Sequence, residues 1–180
     1  MGVISLDGYM NDADGNFDWA EPSDDEHLFV NNLQRNLGAH IYGRKLYETM
    51  RVWQDIGPDD ESAVMGDYGT IWRGVDKVVV STTLGEVTTP RTELRRDLDP
   101  DWLAQYKEGI DGDITIGGPT LAAYAIRAGL VDDFHVFINP IIVGGGTRWL
   151  PDGYRADLKQ TDEHRFDNGV VYVAYEARSA

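Results

Sequence analysis

The sequence predicts a fold of the α/β class, and three patterns carry this prediction. Residues 112–130 contain a β-branched run, a pair of glycines and an Ala- and Leu-rich helix pattern, which is typical of a strand that leads into a helix. Residues 39–50 repeat that order with a short apolar run, a glycine and a second helix pattern. Residues 167–175 place Asp-Asn-Gly before an apolar run, which indicates a C-terminal hairpin that closes the sheet antiparallel.

The other elements are predicted from periodicity and from residues that favour helix ends. Ser23 and Glu26 form a capping-box pair, and apolar residues at helical spacing then predict a helix that Gly38 ends. An Asp-Pro pair at residues 99–100 is typical of the start of another helix. Because residues 134–138 are apolar on both faces, we expect a strand there that is covered on both sides. Further strands are predicted at residues 3–4, 75–80 and 92–94, and a helix at residues 61–72.

Length and composition indicate one domain over residues 1–180. No apolar run is long enough to cross a bilayer and no signal peptide is visible, so we expect a soluble protein with no membrane partner. The chain has no cysteine, which excludes disulfides and thiolate ligands and fits the reducing cytoplasm. Its 16 basic and 31 acidic residues give a formal net charge of −15, so nucleic acid is not expected as a partner.

The pair Gly117 and Gly118 is a candidate anion site. Glycines let the backbone turn and approach a ligand closely, and Pro119 suits the first helical position because it lacks an amide hydrogen. The amides and the positive dipole end of the following helix favour an anion, which suggests a pyrophosphate cradle. A tight turn without any ligand explains the same residues, since neither a full GxGxxG pattern nor a Walker lysine is present. Both interpretations stay open at this point.

Four segments in the chain carry a family resemblance. They are ISLDGYM at residues 4–10, IYGRKLYETM at residues 41–50, VVVSTTL at residues 78–84, and GGPTLAAY with GLVDDFHVFINPIIVGGG between residues 117 and 146. In this order they resemble the dihydrofolate-reductase-like family, and most closely the reductase domain of bacterial riboflavin biosynthesis. The resemblance implies a three-layer fold with a mixed, mostly parallel central sheet, flanking helices and the C-terminal antiparallel hairpin. It also implies NADPH as the cofactor.

The resemblance assigns the nucleotide end of NADPH to residues that follow two predicted strands. It implies that Arg44 reaches the adenosine 2′-phosphate, a contact that suits the guanidinium fork. Two cations in the first turn of a helix oppose the helix dipole, so Arg44 and Lys45 favour a bound anion, although a solvent-exposed pair is the plain alternative. Ser81 and Thr82 follow the next strand, where hydroxyls that merely satisfy the strand end are the alternative. The full predicted cofactor set is Gly43, Arg44, Lys45, Ser81, Thr82, Gly117, Gly118, Pro119 and Thr120.

Three residues, Asp7, Trp19 and Asp24, are candidates for the catalytic site. Asp7 lies in the SLDG motif, although an Asp-Gly turn would also explain it. In reductases of the family an acid a few residues after a tryptophan contacts the heterocyclic substrate, and Asp24 follows Trp19 at that spacing. Stabilisation of the first-turn acids by the helix dipole is the alternative. Residues 11–20 resemble the family's substrate lid, and the glycines at residues 144–146 form either a wide turn or a neighbour of the substrate pocket.

The resulting hypothesis is an NADPH-dependent reductase that transfers hydride to a small heterocyclic substrate of the pterin or pyrimidine type. The alternatives are a non-catalytic nucleotide- or ligand-binding protein on the same fold, and another cofactor, such as a flavin, in the same cleft. A Rossmann dehydrogenase is disfavoured because residues 5–11 lack the glycine fingerprint. No metal site is predicted, since the histidines show no ligand spacing. We expect a homodimer, as in relatives, with apolar surface from the aromatic-rich residues 134–138 and 170–175.

Overall fold

The computed structural model describes residues 1–178. The strands in this range are β1 (Gly2–Ser5), β2 (Tyr9–Asn11), β3 (Leu37–Gly43), β4 (Asp76–Val80), β5 (Thr92–Arg95), β6 (Asp113–Gly117), β7 (Asp133–Asn139), β8 (Thr147–Arg148), β9 (Leu158–Arg165) and β10 (Val171–Ala177). The helices are α1 (Asp24–Gln34), α2 (Arg44–Met50), α3 (Ala63–Gly74), α4 (Pro100–Gly109) and α5 (Pro119–Arg127), with 3-10 turns at Asp18–Ala20 and Arg51–Gln54. No helix in the described range is long and apolar enough to span a membrane.

The chain forms two compact units, which we name by their place in the sequence. The middle unit contains residues 24–124, and the terminal unit contains residues 1–23 together with residues 125–178. The chain passes from the middle unit to the terminal unit within α5. The expectation of one domain over residues 1–180, of which residues 179 and 180 lie outside the described range, stays a prediction.

The sheet of the middle unit is parallel throughout, in the order β5-β4-β3-β6. Its strands alternate with helices along the chain because a parallel neighbour requires a crossover connection. Residues 39–42 of β3 are all buried, so this strand is covered on both faces. Gly43 pairs with Val80, and Tyr42 pairs with Gly117. The carboxyl ends of β3, β4 and β6 therefore meet at one edge of the sheet.

An aromatic cluster forms the core of the middle unit. Tyr42, Tyr47, Tyr68 and Trp72 are buried together with Val79. The Trp72 indole donates a hydrogen bond of 3.2 Å to the Tyr42 hydroxyl. Because a buried indole N–H without an acceptor would be costly, this bond lets the large ring pack inside without an energetic penalty.

Two ionisable side chains, His40 and Lys77, pair in register inside the same sheet, where they are 2% and 1% exposed. Burial lowers the pKa of His40 to about 3, and the charge of Lys77 acts in the same direction. The His40 Nδ1 atom lies 2.7 Å from the Thr115 hydroxyl, whereas Nε2 has no hydrogen-bond partner among the described residues. The imidazole is therefore neutral in the folded protein.

The Lys77 ammonium contacts the end of α3. It donates hydrogen bonds to the carbonyls of Trp72 (2.9 Å) and Val75 (2.7 Å) and lies 4.2 Å from the centre of the Trp72 ring. The last carbonyls of a helix and the face of an indole both attract a cation. Burial nevertheless lowers the pKa of Lys77 to about 8, and the charge of Arg91 adds to this effect.

The prediction that Gly38 ends the first helix is wrong. The helix ends at Gln34, and Gly38 lies within β3. A Cβ atom at position 38 would overlap the carbonyl oxygen of Asp111, which precedes the neighbouring strand β6. Glycine is needed here because two chain segments approach closely, and not because a helix ends in a left-handed residue.

The sheet of the terminal unit has the order β1-β7-β10-β9, with β1 parallel to β7 and the other neighbours antiparallel. The turn between β9 and β10 includes Gly169 at φ 91°, which confirms the predicted C-terminal hairpin. Phe134, Val136 and Phe137 of β7 are all buried, so the prediction that this strand is covered on both faces is also confirmed. A parallel-rich α/β fold with an antiparallel end is therefore the observed fold class, as predicted.

Candidate functional site

The carboxyl edge of the parallel sheet brings the predicted cofactor residues together within the middle unit. Neighbouring strands lie about 4.8 Å apart, so residues that follow β4, β3 and β6 lie within roughly 10 Å of one another. A Cβ atom built on Gly118 would lie 3.8 Å from the amide nitrogen of Gly43, which makes the two glycine junctions adjacent. The residues at this edge are Gly43, Arg44, Lys45, Ser81, Thr82, Gly117, Gly118, Pro119 and Thr120.

The two glycines of the junction are required for different reasons. A Cβ atom at Gly117 would overlap the end of the Leu46 side chain, so this glycine leaves room for Leu46 of α2. Gly118 has φ 93°, in the left-handed region that favours glycine, and the nearest atom that a Cβ atom there would meet among the described residues, apart from its chain neighbours, lies 3.8 Å away. The backbone at Gly118 therefore faces open space beside Gly43, at the start of α5.

Arg44 is ion-paired on the helix surface. Its Nη1 atom lies 3.1 Å from Glu48 Oε1, and the side chains are 42% and 39% exposed. This i,i+4 pair offsets the unfavourable placement of a cation in the first turn of a helix. From the sequence, a bound anion had been expected to offset it. An exposed ion pair of this kind contributes only about 0.3–0.5 kcal/mol to stability, so Arg44 can leave Glu48 to bind an anion that it contacts more strongly.

Ser81 shapes the loop that follows β4. It is buried, and its Oγ atom accepts hydrogen bonds from the amides of Thr83 (3.2 Å) and Leu84 (3.0 Å). These bonds favour the interpretation of Ser81 as a hydroxyl that satisfies the strand end, although its own O–H remains able to donate. Thr82, the next residue, is exposed at the sheet edge.

Arg96 holds the same loop from its other side and was missed in the sequence. Its Nη1 atom donates to the carbonyls of Ser81 (3.1 Å) and Leu84 (2.6 Å), and Nη2 donates to the carbonyl of Gly85 (3.5 Å). A cation directly after a strand in an acidic chain is the signal that singled out Arg44, and residues 95–96 show it as well. Carbonyl contacts within a loop leave no such signal, so the role of Arg96 emerges only from the structure.

Tyr47 fixes the rest of the connection between β4 and β5. Its buried hydroxyl accepts hydrogen bonds from the amides of Thr88 (2.9 Å) and Thr89 (3.3 Å). Residues 81–89 are therefore pinned at both ends, by Arg96 with Ser81 at one end and by Tyr47 at the other.

Asp7, in the terminal unit, holds the glycine loop. Its carboxylate accepts hydrogen bonds from the amides of Val143 (3.2 Å) and Gly144 (2.8 Å). A hydrogen bond from the Ser5 side chain, followed by the bonds from these two amides, lowers the pKa of Asp7. Asp7 is therefore ionised near neutral pH and is poorly suited to donate a proton. Its assignment to the catalytic site stays a prediction.

The glycine loop packs against β2. Gly146 has φ 132°, and a Cβ atom there would overlap the carbonyl oxygen of Asn11. The amide of Thr147 donates to Asn11 Oδ1 at 2.9 Å, which continues the contact. This close approach explains a glycine without any ligand, and it favours the structural interpretation of the loop.

Trp19 and Asp24 lie in different units of the chain. Trp19, in the terminal unit, has a buried Nε1–H with no acceptor among the described residues. Asp24 is the exposed first residue of α1 in the middle unit, and Asp25 and Glu26 share its helical turn, where the dipole favours acids. The catalytic roles of Trp19 and Asp24 stay predictions, whereas the nine cofactor candidates share one sheet edge.

The parallel-rich sheet, the strand-glycine-helix junctions and the C-terminal hairpin define a dihydrofolate-reductase-like fold. The model of the RibD C-terminal domain family matches residues 2–172. The chain therefore belongs to the RibD C-terminal domain family.

Comparisons with individual proteins agree with this assignment. The uncharacterized protein YyaP of Bacillus subtilis (strain 168) is 26% identical over 178 residues, which cover 96% of this chain and 90% of YyaP. A solved protein assigned to riboflavin biosynthesis in Shewanella sp. PV-4 is 19% identical, with a TM-score of 0.75 and coverage of 99% and 97%. Dihydrofolate reductase of Enterococcus faecalis, solved with NADP(H) and RAB-propyl, is 11% identical, with a TM-score of 0.66 and coverage of 99% and 94%. The structural similarities show a shared fold.

Proposed function

We propose that this protein is an NADPH-dependent reductase that transfers hydride to a small heterocyclic substrate of the pterin or pyrimidine type. The observation that carries the proposal is the meeting of two glycine junctions, two cations and two hydroxyls at one sheet edge in a strongly acidic chain. Membership of a reductase-related family supports it, as does the fold shared with a dihydrofolate reductase that was solved with NADP(H).

The glycine junctions fit the diphosphate of the cofactor. Gly118 places open backbone beside Gly43, so a phosphate could approach without meeting a side chain. The first amides of α5 have no acceptor within the helix, and the positive end of its dipole favours an anion. We assign the diphosphate to Gly43, Gly117, Gly118, Pro119 and Thr120.

Arg44, Lys45, Ser81 and Thr82 fit the 2′-phosphate of the adenosine. Arg44 would exchange its exposed contact with Glu48 for a phosphate. A hydrogen bond to a charged group contributes about 1.5–3 kcal/mol, which exceeds the few tenths of a kcal/mol of an exposed i,i+4 pair. The exchange is therefore favourable, and NADH, which lacks this phosphate, would not bring it about.

When bound, NADPH supplies the hydride, and the residues of the chain hold the two reactants in place. Ionised Asp7 keeps the glycine loop against β2 through the amides of Val143 and Gly144. Asp24, at the start of α1, is suited to accept hydrogen bonds from N–H groups of a heterocycle.

A non-catalytic nucleotide-binding protein is the second candidate. It is favoured by the hydrogen bonds of Asp7, because a residue expected in the catalytic site supports a loop instead. Both candidates predict NADPH binding, and only the reductase predicts that NADPH is consumed.

Two measurements separate the candidates. Calorimetric titration compares the binding of NADPH and NADH. NADPH fluorescence then follows the oxidation of NADPH when dihydropterins and ribosylamino-pyrimidines are added. Tighter binding of NADPH and its oxidation by one substrate class would support the reductase. Tight binding without oxidation by any of them would support the binding protein. If NADPH does not bind, the proposal is wrong.

We also propose a homodimer, although part of the surface first expected to form it is buried inside the chain. Phe134, Phe137 and Tyr172 are buried in the protomer and offer no free apolar area. Leu6 and Ile142 of the terminal unit are instead 64% and 70% exposed. Light scattering at micromolar concentration tests the assembly, and a monomer would contradict it.

A further inference from the structure

We propose that Arg96 is a positioning residue for cofactor selection, because it fixes the loop of residues 81–85 so that Thr82 is presented to the adenosine 2′-phosphate. The inference rests on the proposed function of the sheet edge. It concerns a side chain that acts through the loop rather than by touching the cofactor.

The register of the sheet places Arg96 beside this loop. Val80 pairs with Arg95 on one side and with Gly43 on the other. The next residues along the three strands are Ser81, Arg96 and Arg44. The loop therefore starts where an arginine follows each neighbouring strand, Arg96 after β5 and Arg44 at the start of α2.

The hydrogen bonds of Arg96 hold the loop of residues 81–85 in one conformation. Its two terminal nitrogens donate to the carbonyls of Ser81, Leu84 and Gly85. The Ser81 hydroxyl oxygen accepts hydrogen bonds from the amides of Thr83 and Leu84 in the same loop. The backbone is thus held through both its carbonyls and its amides.

A loop fixed in this way is ordered before the ligand arrives. Ordering a free loop during binding would reduce the affinity, because backbone and side-chain freedom is lost at that step. The planar guanidinium reaches three carbonyls at once, which a single ammonium on a flexible stem does not reproduce. Arginine, and not positive charge alone, is what the arrangement requires.

Arg96 also remains an uncompensated cation. No carboxylate in the described part of the chain forms an ion pair with it, in contrast to Arg44 with Glu48 and Arg91 with Asp76. Its partners are neutral carbonyls, so its charge adds to the local field that favours a phosphate over a hydroxyl. We therefore expect the charge of Arg96 to raise the affinity for NADPH more than the affinity for NADH.

The test compares Arg96→Ala, Arg96→Lys and the control Arg35→Lys in calorimetric titrations with NADPH and NADH, with thermal unfolding in parallel. Arg35 is an exposed arginine of the same unit that contacts Asp67 through both terminal nitrogens. We expect both Arg96 variants to lower the ratio of NADPH to NADH affinity by about tenfold, with NADH affinity almost unchanged. The control should leave the ratio as it is in the wild type.

Each other outcome contradicts the inference in a distinct way. A ratio retained by Arg96→Lys would show that charge alone matters, and equal losses for both cofactors would show a merely structural role. Arg96→Lys keeps the charge and the long side chain, so it decides the question if Arg96→Ala does not fold. Wild-type protein without a preference for NADPH would overturn the proposed function as well, whereas a wild-type preference that survives in both variants would overturn this inference alone.

Discussion

The diglycine junction of the middle unit and the glycine loop of the terminal unit differ in what their backbones contact. In the loop, the amides of Val143 and Gly144 are bound by Asp7, and Gly146 presses against the chain at Asn11. At the junction, the nearest atom on the Cβ side of Gly118 within the described part of the chain is the amide nitrogen of Gly43, at 3.8 Å. Gly146 serves protein packing in the loop, whereas Gly118 leaves room at the junction. A glycine-rich segment is therefore a ligand site only where its amides and its space are not already taken.

The largest expected effect is a loss of stability when the tightly packed glycine of the loop is replaced. Gly146→Ala adds a methyl group that overlaps backbone at a left-handed φ, so it should lower the free energy of unfolding by roughly 3 kcal/mol. Gly145→Ala is the matched control, since a Cβ atom there meets nothing within 4 Å in residues 1–178, and it should change stability by about 0.5 kcal/mol or less. Denaturant unfolding measures both. Equal losses would remove the close-contact explanation of the loop.

Acid should affect the two units in different pH ranges. The folded pKa of His40 is about 3, below its usual 6.5, so the unfolded chain binds a proton that the folded chain does not. This contribution is complete above pH 6.5 and is lost as pH falls toward 3, by about 3 kcal/mol between pH 7 and pH 4. The folded pKa of Asp7 is below 3.8, so its contribution is present above that pH and is lost as pH falls below it.

His40→Gln removes the group that titrates inside the sheet and should flatten the loss of stability between pH 6.5 and pH 4. His164→Gln, at an exposed histidine of β9, is the control for the loss of a histidine side chain. Denaturant unfolding at several pH values gives the comparison. A slope that persists in His40→Gln would mean that His40 is not the responsible group.

Arg44→Ala should weaken NADPH binding by roughly 1.5–3 kcal/mol and NADH binding much less, because only NADPH offers the 2′-phosphate. Glu48→Gln keeps Arg44 and removes its competing partner, so it should strengthen NADPH binding by about 0.3–0.5 kcal/mol. Titration calorimetry measures both variants. Equal losses for the two cofactors in Arg44→Ala would contradict the 2′-phosphate assignment.

The smallest expected effect on stability tests the open junction. Gly118→Ala should lower stability by about 1 kcal/mol through strain at positive φ, yet nearly all molecules should stay folded. Because the new methyl enters the space assigned to the diphosphate, NADPH affinity should fall by more than this loss explains. Calorimetric titration of the folded variant decides the point. Unchanged affinity would leave residues 117–118 as a structural turn.

Elements that depend on local sequence were predictable, and features that depend on distant contacts were not. The junction at residues 117–118 and the hairpin turn at residues 167–169 were recognised because glycine, proline and asparagine act within a few residues. Gly38 was misassigned because the need for glycine comes from Asp111, which is remote in the sequence. The contacts of Asp7 and Arg96 were missed for the same reason, since backbone acceptors and donors have no sequence signature.

The pairing of β1 with β7 has a consequence for synthesis on the ribosome. Gly2 pairs with Val136, so the first strand has no parallel partner until the whole middle unit has been translated. At typical elongation rates this interval lasts on the order of ten seconds. Residues 24–124 can assemble their own sheet during that time, whereas the terminal unit must close a long loop first, which slows folding. We infer that the nascent chain forms the parallel sheet of its middle unit before β1 pairs with β7.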